Sequence, residues 1–137
     1  MNIGILPAEL FAAAVDLWRE AGLTLPWNDP EADLRRGMRG PDSTVLACVD
    51  GGRLIGTAMV GHDGHRGWVY YLAVDEGHRH RGVGRNLMQA CEQWTLERDV
   101  PKLQLMVRAG NDAVLAFYEK LGYEVSDVVV LGRRLDD

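Results

Sequence analysis

Residues 72–85 read Leu-Ala-Val-Asp-Glu-Gly-His-Arg-His-Arg-Gly-Val-Gly-Arg: an apolar run breaks into a basic, glycine-containing loop just before an amphipathic stretch. A strand, such a loop and a helix start together make a phosphate site. The first N–H groups of the helix lack intrahelical partners, and its dipole favours negative charge there. Gly82 and Gly84 allow a ligand close to the backbone. Arg79, Arg81 and Arg85 add charge-assisted contacts to phosphate. A dinucleotide loop requires a third glycine where Leu87 stands, and a P-loop requires Gly-Lys-Ser/Thr, which is absent. Taken alone, Gly82-x-Gly84 also fits a tight strand-to-helix turn, and His78–Arg81 a solvated loop.

A second constellation spans Asn111 to Tyr123. Asn111 and Asp112 are good N-cap residues. Tyr118 follows Asn111 by seven residues, about two turns, so their side chains share a helix face. This pattern suits a ligand contact, and equally a cap followed by a core aromatic. His62, Asp63 and His65 crowd three ligand-type side chains into four residues of a glycine-rich loop. That is awkward for one tetrahedral ion and no second ligand group is evident, so no metal is expected. The loop reads as the rim of an acceptor entrance or as plain surface. Cys48 and Cys91, in apolar surroundings and without a C-x-x-C, read as core thiols of a reducing compartment.

These residues need elements to position them. Ile3 and Ile5 alternate in a first strand. A helix follows with Leu10, Phe11, Ala14, Leu17, Trp18 and Ala21 on one face and Gly22 at its end. Leu25–Pro30 is irregular, with Trp27 either lining a pocket or packing locally, and a polar helix covers Glu31–Arg39. Strands Ser43–Val49 and Leu54–Val60 flank Asp50-Gly51-Gly52, a hairpin turn. Trp68–Asp75 is a strand near the sheet centre, followed by a helix from Val83 to Arg98. A strand then carries Leu103, Leu105 and Val107, a helix covers Asp112–Leu121, and Val125–Leu135 forms the last strand or strand pair. The predicted order is β-α-α-β-β-β-α-β-α-β, an α/β sheet of mixed direction.

The 137 residues suffice for one domain, 1–137, with its own core. A net charge of −5 argues against a nucleic-acid surface. No run approaches the roughly 18 apolar residues of a membrane span, and Met1–Pro7 lacks an export signal, so a cytoplasmic protein is expected.

Taken together, the two motifs resemble the GNAT superfamily of N-acetyltransferases. Its Arg/Gln-x-x-Gly-x-Gly/Ala signature is matched by Arg79, Gly82 and Gly84. Its later Asn…Ala…Tyr…Gly-Phe/Tyr element is approached by Asn111, Ala116, Tyr118, Gly122 and Tyr123. The likeness runs through essentially the whole chain in element order. Pro26–Pro30, Asp63–Gly67 and Tyr70-Tyr71-Leu72 are similar to YpeA-type bacterial members.

The resemblance implies a mixed, mostly antiparallel sheet with helices on both faces, and acetyl transfer from acetyl-CoA to a primary amine by direct attack. Pantetheine would enter between the Leu72-Ala73-Val74 strand and the Leu103–Val107 strand. The Leu72 N–H would polarise the acetyl carbonyl. The backbone of His80, Arg81, Gly82, Val83, Gly84 and Arg85 would hold pyrophosphate. Asn111 would contact the pantetheine arm, and Tyr118 would protonate the departing thiolate. Relatives place a glutamate base where Trp68 and Met106 stand here, leaving the base unassigned, with Tyr71, Gln104 and His62–His65 as relay candidates. Freeing a lysine amine at pH 7 costs roughly 4.6 kcal/mol, against about 1.4 for an α-amine, so a low-pKa amine suits such an enzyme better. The alternatives are an acyl-CoA-binding module without turnover, or a protein-binding subunit pairing through Val128–Leu131, which serves a homodimer equally well.

Overall fold

The computed structural model describes residues 1–136. It divides into a larger unit, Met1–Met106, and a smaller one that begins at Val107. The larger unit carries five strands in sequential order: β1 (Asn2–Ile5), β2 (Ser43–Asp50), β3 (Arg53–His62), β4 (Gly67–Val74) and β5 (Leu103–Leu105). The first four pair antiparallel and β5 joins β4 in parallel. The mixed, mostly antiparallel sheet therefore forms as expected.

Local chemistry explains the connections. Gly51 and Gly52 take φ of 57° and 80°, the left-handed pair that a two-residue hairpin turn requires. At the β3–β4 turn, Asp63 Oδ1 accepts the N–H groups of His65 and Arg66, each at 2.8 Å, an Asx-type closure. Its carboxyl is held below the usual range chiefly by the Arg66 and His65 N–H groups. The step from β4 to β5 is parallel and needs a crossover, which helix α3 (Val83–Leu96) provides.

Helices lie on both faces of this sheet. Helices α1 (Phe11–Glu20) and α2 (Pro30–Met38) cover one, with Ala14, Val15, Leu17, Trp18 and Leu34 buried against Val45, Ala47 and Ala73. Asp29 caps α2, accepting from the N–H groups of Glu31 and Ala32 at 3.1 Å, with Pro30 in the first turn. The opposite face takes α3 through Val83, Leu87, Met88, Cys91 and Trp94. Gly56 permits that approach. A Cβ there would stand 2.8 Å from Val83 Cγ1 and 2.9 Å from Leu87 Cδ1. Cys48 and Cys91 are buried free thiols, as their apolar neighbours predict. Burial pushes the Cys91 thiol up to about 12.

In the smaller unit, helix α4 (Asp112–Lys120) ends before Gly122 at φ 96°. Two expected strand segments do not form. The strand through Leu103 stops at Leu105, short of Val107. Val125–Leu135 holds no strand; Val125, Val128, Val129, Val130, Leu131 and Leu135 are all exposed. Their β-branched run has the propensity, but a strand exists only through its ladder, and this segment has no ladder partner among the described residues.

Candidate active site

Strand β4 is irregular where the expected donor residues lie. Met59 pairs with Tyr70 and Thr57 with Ala73, so two residues of β4, Tyr71 and Leu72, oppose the single residue Ala58. This is a β-bulge. Tyr71 sits in it at φ 54°, a left-handed conformation uncommon for a bulky side chain. Pairing with β5 ends at Val69 opposite Leu105, while β4 continues to Val74. The outer edge of Leu72, Ala73 and Val74 thus runs beyond the β5 ladder.

Tyr71 is fixed at several points. Its ring stacks on Trp18 with centroids 3.9 Å apart, and its hydroxyl donates to Asp33 Oδ2 at 2.7 Å. Burial first, then that hydrogen bond, push the hydroxyl well above the ordinary tyrosine range. Tyr71 stays protonated at neutral pH; it could pass a proton but not act as an ionised base.

From Val74 the chain enters a short 3-10 turn, Glu76–His78, and then the basic loop. Asp75 anchors this exit. It accepts from His78 Nδ1 at 2.8 Å and lies 3.5 Å from Arg53. The His78 hydrogen bond, followed by the Arg53 charge, holds its carboxyl below the usual range. A depressed carboxylate pKa stabilises the fold above the unfolded value, near 3.9, and that stability is lost as pH falls through the folded value. Asp75→Asn should therefore unfold at lower urea than wild type at pH 7, and the two midpoints should converge below about pH 4. Urea titrations at pH 7, 5 and 3 measure this.

Past this anchor, Arg79, His80, Arg81 and Gly82 are exposed, with His80 at φ 65° and Gly82 at φ 81°. Gly82 is the N-cap of α3 and no side chain caps the helix. The ladder opens with Asn86 N–H donating to Gly82 O at 2.9 Å, so the N–H groups of Val83, Gly84 and Arg85 precede it. Val83 sends its side chain into the core, leaving only its backbone for a ligand. An uncapped glycine terminus beside three arginines has the donors and the charge to hold a pyrophosphate.

Expected site residues thus fall in two groups. Leu72 to Val74 and Arg79 to Arg85 form one strand–turn–helix within the larger unit. Asn111 and Tyr118 belong to α4 in the smaller unit. Asn111 caps α4, its Oδ1 accepting from Val114 N–H at 3.4 Å, while Tyr118 is buried against Phe117 and Tyr123. Trp68 and Met106 offer no carboxylate. His62 bonds the Gly64 N–H and tilts over Trp94, and Trp27 is exposed.

Thr57 and Asp33 belong to no motif in the sequence, and Trp18 falls on the apolar face of its helix. Trp18 is fully buried, yet its Nε1–H donates to Thr57 Oγ1 at 2.8 Å. A signal existed: a core tryptophan must find an acceptor for its N–H, and Thr57 interrupts an otherwise apolar run.

The acetyltransferase (GNAT) family model matches residues 11–123. An acetyltransferase of Pectobacterium atrosepticum is 42% identical over 135 residues, covering 98% of this chain and 96% of that protein. An acetyltransferase of Yersinia pestis matches at the same identity and coverage. Among solved structures, aminoglycoside N-acetyltransferase AAC(6')-Iy in complex with CoA superposes with a TM-score of 0.83. It is 17% identical over 98% of this chain and 95% of that one, a likeness of fold. The chain belongs to the GNAT family of acetyltransferases.

Proposed function

We propose that this acetyltransferase moves the acetyl group of acetyl-CoA to a primary amine by direct attack. The observation that carries this reading is the uncapped N-terminus of α3, with left-handed His80 and Gly82 and three arginines, placed one short turn after the bulged edge of β4. Acetyl-CoA brings the thioester and a pyrophosphate. The chain contributes the N–H groups of residues 80–85 for the phosphates, Arg79, Arg81 and Arg85 for charge, and the β4 edge for pantetheine, by strand addition. The Leu72 N–H supports the developing oxyanion. Asn111 contacts the pantetheine arm, and Tyr118 protonates the thiolate as it leaves.

No carboxylate stands at Trp68 or Met106, so the amine's proton leaves through water, with the neutral Tyr71 hydroxyl and Asp33 as the nearest relay to the bulge. Aminoglycoside acetylation by a protein of this fold makes polyamino sugars one acceptor class to try beside polyamines, amino acids and peptide N-termini.

The test is calorimetry with acetyl-CoA followed by an amine panel with thiol release as readout. Micromolar binding with amine-dependent thiol release is the expected result. No binding at millimolar acetyl-CoA overturns the reading. The missing carboxylate base favours one second reading, an acyl-CoA-binding module; binding without thiol release from any amine would establish it.

A further inference from the structure

The bulge in β4 is held from inside by a directional chain of hydrogen bonds. Trp18 Nε1–H donates to Thr57 Oγ1 at 2.8 Å, and Thr57 Oγ1 donates to the Tyr71 carbonyl at 3.0 Å. Trp18 and Thr57 are fully buried. An indole N–H can only donate, so the threonine oxygen must accept from it. The single hydroxyl proton is then free for the Tyr71 carbonyl.

That bond fixes more than a carbonyl. The Tyr71–Leu72 peptide is planar and trans, and in such a unit the C=O and the next N–H point in opposite directions. With the Tyr71 carbonyl drawn toward Thr57 on β3, the Leu72 N–H faces away from β3. Beside Leu72, β4 runs beyond the β5 ladder. The left-handed backbone at Tyr71 would revert without such support. Stacking on Trp18 and the Asp33 hydrogen bond hold the side chain of the same residue.

Resting on the oxyanion role proposed above for the Leu72 N–H, we infer that Trp18 and Thr57 are positioning residues that aim this N–H at the acetyl oxygen. Neither touches substrate. Both act through the Tyr71–Leu72 peptide plane. Thr57→Val keeps the shape and removes the proton that holds the carbonyl, whereas Thr57→Ser keeps the hydroxyl.

The test uses the full chain, acetyl-CoA and glycinamide as acceptor, with thiol release for rates and the Leu72 amide resonance as a direct probe. Removing one oxyanion donor outright costs about 100-fold or more in kcat. A donor only misdirected should cost less, so Thr57→Val is expected to lower kcat about 10- to 100-fold with KM for acetyl-CoA within about 2-fold. Thr57→Ser should restore most of the rate. In wild type and Thr57→Ser the Leu72 amide should shift further with acetyl-CoA than with CoA, and Thr57→Val should lose that difference. If Thr57→Val does not fold, Thr57→Cys, a weak donor of similar size, replaces it. A kcat within 2-fold of wild type, or an unchanged Leu72 response in the variant, overturns the inference. Wild type that neither binds acetyl-CoA nor releases thiol defeats the transferase reading itself, and the positioning role with it; this outcome is visible before any variant is made.

Discussion

Gly82→Glu should weaken acetyl-CoA binding by about 100-fold or more while leaving the protein folded. Gly82 has φ 81° and nothing within 4 Å of a built Cβ, so space is available and the direct cost is backbone strain, about 1–2 kcal/mol. A carboxylate beside the helix N-terminus offsets part of that cost, since it faces the same N–H groups and positive dipole. Those are the donors proposed to hold the pyrophosphate. The glutamate therefore competes for them and repels the phosphates. An affinity at least 100-fold weaker, about 2.7 kcal/mol, is expected by calorimetry. Gly82→Ala separates the causes: it carries the strain without the charge, and its affinity should stay within about 5-fold of wild type. Binding of the glutamate variant within 10-fold of wild type would place the phosphates elsewhere.

The second large effect is expected at Tyr118. Tyr118→Phe keeps the ring packed between Phe117 and Tyr123 and removes only the hydroxyl. An alkyl thiol has a pKa of about 8.5, so expelling it at pH 7 as thiolate rather than thiol costs roughly 2 kcal/mol, about 30-fold in rate. The variant should lose at least that much in kcat at pH 7, with acetyl-CoA affinity nearly unchanged. The ratio of wild-type to variant kcat should shrink as pH rises beyond 8.5, because a thiolate then needs no proton. A packing defect would give a ratio independent of pH. A variant with full kcat at pH 7 would leave Tyr118 as the core aromatic its burial also allows.

What the sequence made legible depended on punctuation. Gly51-Gly52 marked the hairpin, Gly22 and Gly122 marked helix ends, and Gly82 marked the turn into α3, because left-handed backbone usually requires glycine. Where left-handed backbone fell on a tyrosine instead, the signal vanished. Tyr71 lies in an apolar run that reads as unbroken strand, and its bulge appears only when β4 is counted against β3. The Trp18–Thr57 bond joins residues 39 apart, beyond any local pattern, although each side chain alone announces a need for a partner. Val125–Leu135 failed in the opposite way: its propensity was plain, but a ladder depends on a partner that propensity does not supply. Acceptor choice stayed illegible in the Gly22–Gly40 region and the His62–Arg66 loop, whose hydrogen bonds close turns and cap α2 without describing a ligand.

The clamp on the bulge is borrowed from elsewhere in the fold. Trp18 and Asp33 come from α1 and α2, on the face of the sheet opposite α3, whereas the uncapped helix terminus rests on β3, β4, the Asp75 anchor and α3. Proteins open piecewise, each segment with its own free energy. A partial opening that releases α1 and α2 would free the Tyr71–Leu72 peptide, the proposed oxyanion donor, while α3 stays packed on the sheet. On the roles proposed above, turnover and donor binding then have separate thermal limits, and warming is expected to slow thiol release before acetyl-CoA binding is lost.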